Sequence, residues 1–197
     1  MTETMLEKLY VLCFLITALV YLGTADLSSC RNHTARARDC CKIPGIIKQP
    51  IVDACDDKFP HTPPQSEPQR GGKKLEGSCV VQCMFESIGA FKNNSLDMED
   101  TRRHILETAG MDRDFGPLLN DTIDLCYKNV TETPAFSVKP ISFEDGRPGC
   151  SFIPQEMNDC VKTLLFYYCP PANWNQSNDC DDLKEKVDMG CSYSSLY

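Results

Sequence analysis

The residues with the most chemistry in this chain are its cysteines, 13 among 197 residues. Thiols at this density can hold zinc, react as nucleophiles or pair into disulfides, and their spacing separates these uses. Structural zinc sites draw on closely spaced ligand pairs such as Cys-x-x-Cys together with histidine. No such pair is present, and the three histidines, His33, His61 and His104, lie in unrelated contexts. His104 stands beside Arg102 and Arg103, and a cationic neighbour makes it a poor base. Pairing into disulfides is the reading that remains.

Other motifs with catalytic potential do not complete themselves. Secreted phospholipases carry an adjacent Cys-Cys followed at once by His-Asp, but here Cys40-Cys41 is followed by Lys42-Ile43-Pro44. The acidic runs DACDD at 53–57 and NDCDD at 178–182 lack the alternating oxygen ligands of a calcium loop, and acids near helix ends serve as solvated dipole partners. No Gly-x-Ser-x-Gly or His-Glu-x-x-His run is found. The sequence therefore predicts no enzyme, no metal and no cofactor.

The compartment agrees with disulfides. An apolar run, LYVLCFLITALVYLG, leads to the small residues Gly23-Thr24-Ala25, which reads as a signal peptide over 1–25 cut before Asp26. The run is shorter than the ~20 residues of a membrane span. Cleavage removes Cys13 and leaves an even set of twelve: Cys30, Cys40, Cys41, Cys55, Cys79, Cys83, Cys126, Cys150, Cys160, Cys169, Cys180 and Cys191. The remaining chain, 26–197, has the length of a single domain. A net charge of −8 repels phosphate backbones and argues against a nucleic-acid partner. Asn-x-Ser/Thr sequons at Asn32, Asn93, Asn120, Asn129 and Asn175 fit an extracellular, glycosylated protein.

Helices must position these cysteines. After Pro154, apolar or thiol side chains recur at Met157, Cys160, Val161, Leu164, Leu165 and Tyr168, the spacing of a helix that Pro170 and Pro171 stop. Its last turn is apolar on nearly every side, so it runs through the interior. Cys160 and Cys169 lie roughly 180° apart around it and would fasten it to two different neighbours. Residues 78–91 read as a second helix, with Cys79 and Cys83 on one face and Val81, Met84, Phe85, Ile88 and Phe91 on the other. Asp97 can cap a third, ended by Gly110, with Met98, Ile105, Leu106 and Ala109 inward and Glu99 paired to Arg103 outside. Gly116-Pro117 opens a fourth, with Leu118, Leu119, Ile123, Cys126 and Val130 inward, and Ser177 caps an acidic one closed by Gly190. Residues 58–77, rich in proline and glycine, read as a surface loop, and 131–149 as irregular chain. Strand alternation is absent. The expectation is an all-α bundle of about six to eight short helices, stapled by disulfides around an apolar cavity.

Aromatic and flexible apolar residues are plentiful on these helices, among them Met98, Met111 and Tyr167. The cavity is expected to be lined by Met84, Phe85, Ile88, Phe91, Ile105, Leu118, Ile123, Met157, Val161, Leu164 and Tyr168. A chain held by several disulfides does not need a fully packed interior and tolerates such a space.

The cysteine order from Cys55 to Cys180, with gaps of 23, three, 42, 23, nine and eight residues as far as Cys169-Pro170, resembles insect odorant-binding proteins of the Plus-C subclass. That subclass is marked by cysteines beyond the usual six and a proline directly after the sixth. The resemblance implies a secreted helical carrier that takes small hydrophobic ligands, odorant or pheromone-like, through aqueous lymph to membrane odorant receptors. It also implies the pairs Cys55–Cys83, Cys79–Cys160 and Cys126–Cys169, and leaves open the pairing of Cys30, Cys40, Cys41, Cys150, Cys180 and Cys191. At least one of these should tie the N-terminal segment to the C-terminal one. A homodimer is allowed, and the sequence fixes neither ligand nor tissue. The alternative is a disulfide-rich signalling or inhibitory protein acting through an exposed loop at 58–77. Secretion with complete pairing predicts an intact mass beginning at Asp26 and no alkylation without reductant; two or more alkylated cysteines would contradict it.

Overall fold

The computed structural model describes residues 30, 32–59, 72–133 and 149–196, with the side chains of 72–133 described from Gly77 onward. The signal peptide expected over 1–25, most of the loop expected over 58–77 and most of the irregular chain expected over 131–149 lie outside these residues. Among the described residues seven α-helices follow in order: α1 (Ala37–Cys40), α2 (Gln49–Lys58), α3 (Gly72–Ser87), α4 (Met98–Ala109), α5 (Gly116–Glu132), α6 (Ile153–Tyr167) and α7 (Asn178–Asp188). A short hairpin, β1 (Phe91–Lys92) and β2 (Ser95–Leu96), separates α3 from α4, and a 3-10 turn, Tyr193–Leu196, follows α7. The all-α expectation holds.

Local chemistry explains most boundaries. Asp97 accepts the Asp100 N–H and Ser177 accepts the Cys180 N–H, each satisfying a donor that the helix itself cannot. Pro154 lies in the first turn of α6 and Pro50 in that of α2, where a missing N–H costs nothing. Gly190, at φ 92°, takes the left-handed turn that ends α7. Two boundaries differ from expectation. Helix α3 begins at Gly72, so the last residues of the expected 58–77 loop are helical, and it ends at Ser87 rather than at Phe91. Gly89 at φ 74° lets the Ala90 N–H turn back to the Phe85 carbonyl, and the chain then enters the hairpin. Asn93 and Asn94, at φ 51° and 60°, form its two-residue turn, a left-handed pair that asparagine tolerates better than most residues. Outside, Arg103 pairs with the i, i+3 carboxylate of Asp100 in place of the expected Glu99, and Lys92 of the hairpin holds the same carboxylate. These two cations keep the Asp100 carboxyl below its ordinary pKa, the Lys92 hydrogen bond contributing most.

Helix α6 is the centre. It packs against α3, α5, α7, β2 and the C-terminal 3-10 turn. Met157, Val161, Leu165 and Phe166 are buried along it, and the Phe166 ring meets Trp174 and Tyr193 edge-on at 5.5 and 6.0 Å. Lys184 of α7 covers Trp174 with its ammonium 4.1 Å from the ring centre.

Six disulfides close the fold: Cys30–Cys191, Cys40–Cys180, Cys41–Cys169, Cys55–Cys83, Cys79–Cys150 and Cys126–Cys160. Of the implied pairs, Cys55–Cys83 is present, while Cys79–Cys160 and Cys126–Cys169 are corrected. Cys160 faces α5, where Cys126 stands with its Cα 5.7 Å away. Cys79 instead meets Cys150, because the chain ahead of α6 is held beside α3 by the Ser151 N–H donating to the Gln82 side chain at 2.6 Å. Cys169 is then left for Cys41. Helix α6 is still fastened on two sides, to α5 through Cys160 and to the N-terminal segment through Cys169. Adjacent Cys40 and Cys41 part in different directions, and the backbone between them pairs with 173–175 through Lys42 N–H to Asn173 O and Asn175 N–H to Cys40 O.

Gly116 opens α5 where the chain folds back on the end of α4. A Cβ built there would stand 2.5 Å from the Gly110 carbonyl oxygen, a backbone atom that cannot step aside. Gly116→Ala is expected to destabilise the protein by about 1 to 3 kcal/mol, measured by denaturant unfolding; a change within about 0.5 kcal/mol would show that the turn relaxes freely.

Candidate functional site

The residues expected to line a cavity belong to or pack against one apolar core, with one exception. Phe85, Ile105, Ile123, Met157 and Val161 are fully buried, Ile88 and Phe91 nearly so. Met84, Leu118 and Leu164 are partly buried and pack against the same apolar cluster. Tyr168 is 58% exposed and stacks edge-on with Tyr167 at 5.0 Å, apart from the others. The buried line of α6 runs 157, 161, 165, so Leu165 and Phe166 turn inward while Leu164 and Tyr168 rotate towards the surface.

Leu164 reaches the surface at a groove of about 240 Å³. Helix α5 supplies Asn129 and Val130, α6 supplies Glu156, Asp159, Cys160, Thr163 and Leu164, and the far wall is Val187 of α7 with Gly190, Cys191 and Ser192 behind it. Val130, Cys160, Leu164, Val187 and Cys191 also belong to or pack on the main core, so the floor of the groove is the outer surface of that core. The Cys126–Cys160 and Cys30–Cys191 bridges fix its two walls.

One edge is polar and ordered. The Asp159 carboxylate, though only 8% exposed, accepts a hydrogen bond from the Ser194 hydroxyl at 2.7 Å. Thr163 donates its hydroxyl to the Asp159 backbone carbonyl at 2.6 Å and accepts the Tyr193 N–H at 2.9 Å. Beyond α6's last turn, the Tyr167 hydroxyl is bonded to Asp188, and that carboxylate holds its pKa above the ordinary phenol value. These contacts seat the C-terminal turn against α6 and keep the groove's shape.

The polar edge was not expected from the apolar pattern of α6. Its signal is the spacing of Glu156, Asp159 and Thr163, three and four residues apart along one side of the helix. Among the described residues, no three His, Cys, Asp or Glu side chains gather in a way that could hold a metal ion. No described helix is long and apolar enough to cross a membrane.

Residues 44–186 match the family model described as AgamOBP47-like. The chain is 30% identical to general odorant-binding protein 67 of Anopheles gambiae over 175 residues, covering 87% of this chain and 82% of that protein. It is 24% identical to odorant-binding protein 47 of the same organism, covering 75% of this chain and 66% of that protein.

Substitution separates groove from core. Leu164→Trp should extend over the groove floor, cost less than about 1 kcal/mol and abolish displacement of an apolar fluorescent probe. Val161→Trp, one turn earlier and fully buried, should cost about 1 to 3 kcal/mol or more through overpacking. Thermal unfolding of both variants reads the first effect and probe titration the second. Equal destabilisation with unchanged probe affinity would mean that Leu164 is ordinary core.

Proposed function

The chain belongs to the AgamOBP47-like odorant-binding proteins, and from that premise we propose that it carries small hydrophobic molecules through an aqueous extracellular fluid. The paired extra cysteines agree with the Plus-C subclass that the sequence resembles. On this reading the leader at 1–25 directs secretion, the single domain 26–197 binds odorant-like or pheromone-like ligands, and a membrane receptor takes delivery. Binding rather than catalysis is its task.

The observation that carries this reading is the groove beside Leu164, whose floor is continuous with the apolar core while its edge is polar. A surface depression with an apolar base and a few placed polar groups is what a small ligand needs. At about 240 Å³ it is somewhat smaller than the sites of drug-sized molecules, which run from about 300 to 1,000 Å³. A volatile of modest size suits it. We place the ligand against Leu164, with Val161 and Met157 one and two turns earlier on the same helix, and with Met84, Phe85, Ile88, Phe91, Ile105, Leu118 and Ile123 as the apolar body behind them.

A signalling or inhibitory role through 58–77 is not favoured, since the family is one of binding proteins. Titration of the secreted protein with N-phenyl-1-naphthylamine should give saturable binding with a blue-shifted emission, reversed by apolar volatiles. Native mass spectrometry should show one small molecule per chain. Absence of saturable binding in fully oxidised protein would overturn the carrier reading.

A further inference from the structure

We infer that the groove selects its ligand by headgroup, taking apolar molecules that end in a hydrogen-bond donor, an alcohol or an amine, and turning away carboxylates of the same length. This rests on the carrier reading and extends it. The argument comes from which hydrogen-bonding capacity is left at the polar edge. A carboxylate offers about four acceptor positions, and the Ser194 hydroxyl occupies one on Asp159. The neighbouring donors are committed. Thr163 gives its proton to the Asp159 carbonyl, the Tyr193 N–H goes to Thr163, and the backbone N–H groups of Gly190 and Cys191 go to the Val187 and Lys186 carbonyls. Glu156 brings a second carboxylate to the same stripe. Among the described residues, none that lines the groove carries a positive charge.

An edge of this kind accepts more than it donates. An alcohol or amine lying on Leu164 and Val187 can give its proton to Asp159 and complete that group's hydrogen bonding. A ligand carboxylate brings no donor and sets like charge against like charge, and Asp159 is too buried for water to screen the repulsion fully. Of the other side-chain donors among the described lining residues, the Ser192 hydroxyl is held by the Ser194 oxygen at 3.1 Å, and the exposed Asn129 amide stands on the α5 wall rather than on the α6 stripe.

The test is competitive displacement of N-phenyl-1-naphthylamine from the full oxidised chain by nonanol, nonylamine and nonanoate near neutral pH. Nonanol and nonylamine should compete at least about tenfold better than nonanoate. Asp159→Asn keeps the side chain's size and its acceptor for Ser194 but removes the charge, and should narrow the gap to within about threefold. Thermal unfolding checks that this variant is folded; if it is not, Glu156→Gln replaces it and should narrow the gap in part. Nonanoate competing as well as nonanol in the unmodified protein, or a gap unchanged in both variants, overturns the inference. Leu164→Trp tells the two levels apart. If it abolishes probe binding while the three competitors are equal in the unmodified chain, the carrier reading stands and headgroup selection falls; if it leaves probe binding intact, the ligand lies away from the groove and headgroup selection falls with it, whereas the carrier reading falls only if the unmodified chain binds no probe.

Discussion

The end of α6 and the start of α7 are held to one another by two neighbouring cysteines whose bonds lead apart. Cys41 holds the end of α6 through Cys169, and Cys40 holds the first turn of α7 through Cys180. Because Cys40 and Cys41 are joined by one peptide unit, the two helix ends cannot drift from one another by more than that short piece of backbone allows. The extended pairing with 173–175 stiffens the same junction. Trp174, held between Phe166 and Lys184, fills the corner.

This covalent closure changes what the apolar core must do. The three bridges from the N-terminal segment span sequence separations of 161, 140 and 128 residues. In the chain-entropy account, closing a loop of ~100 residues is worth about 4.7 kcal/mol, drawn from the unfolded state rather than from native contacts. A domain stabilised in that way can leave an indentation in its own surface without unfolding. The groove lies at such a place, with Cys160 and Cys191 in its walls. Disulfides here supply a fixed frame, and the packing of Leu164, Val130 and Val187 supplies the surface that a ligand would touch.

Much of the fold could be read from residue types alone, because capping and proline effects act within a few residues. Asp97, Ser177, Pro154 and Gly190 mark boundaries where the sequence places them. The hairpin at 91–96 was illegible as strand because two residues a side show no alternation, and only Asn93-Asn94 hinted at a turn. Helical periodicity placed the apolar stripe of α6 but not its rotation, so Leu164 and Tyr168 were grouped with Val161 as lining, while Leu165 was left out of the lining set and Phe166 went unnamed. The cysteine partners were harder still. Spacing along the chain says nothing about which thiols meet in space, and Cys79 found Cys150 because a Gln82 side chain holds the neighbouring backbone, a contact across 69 residues. The polar edge of the groove depends on the turn at 193–196 folding back on α6, which no local pattern announces.

Cys30 and Cys191 have one further effect, on force rather than on energy. Tension applied to the chain outside these two residues passes from one to the other through a single covalent bond. The helices between them, with the groove and all five remaining bridges, would carry none of it. Mechanically the domain is a closed ring, unable to lengthen when pulled. A molecule seated beside Leu164 would therefore be insensitive to shear or tethering at either end of the chain, and only events that act on the wall itself could release it.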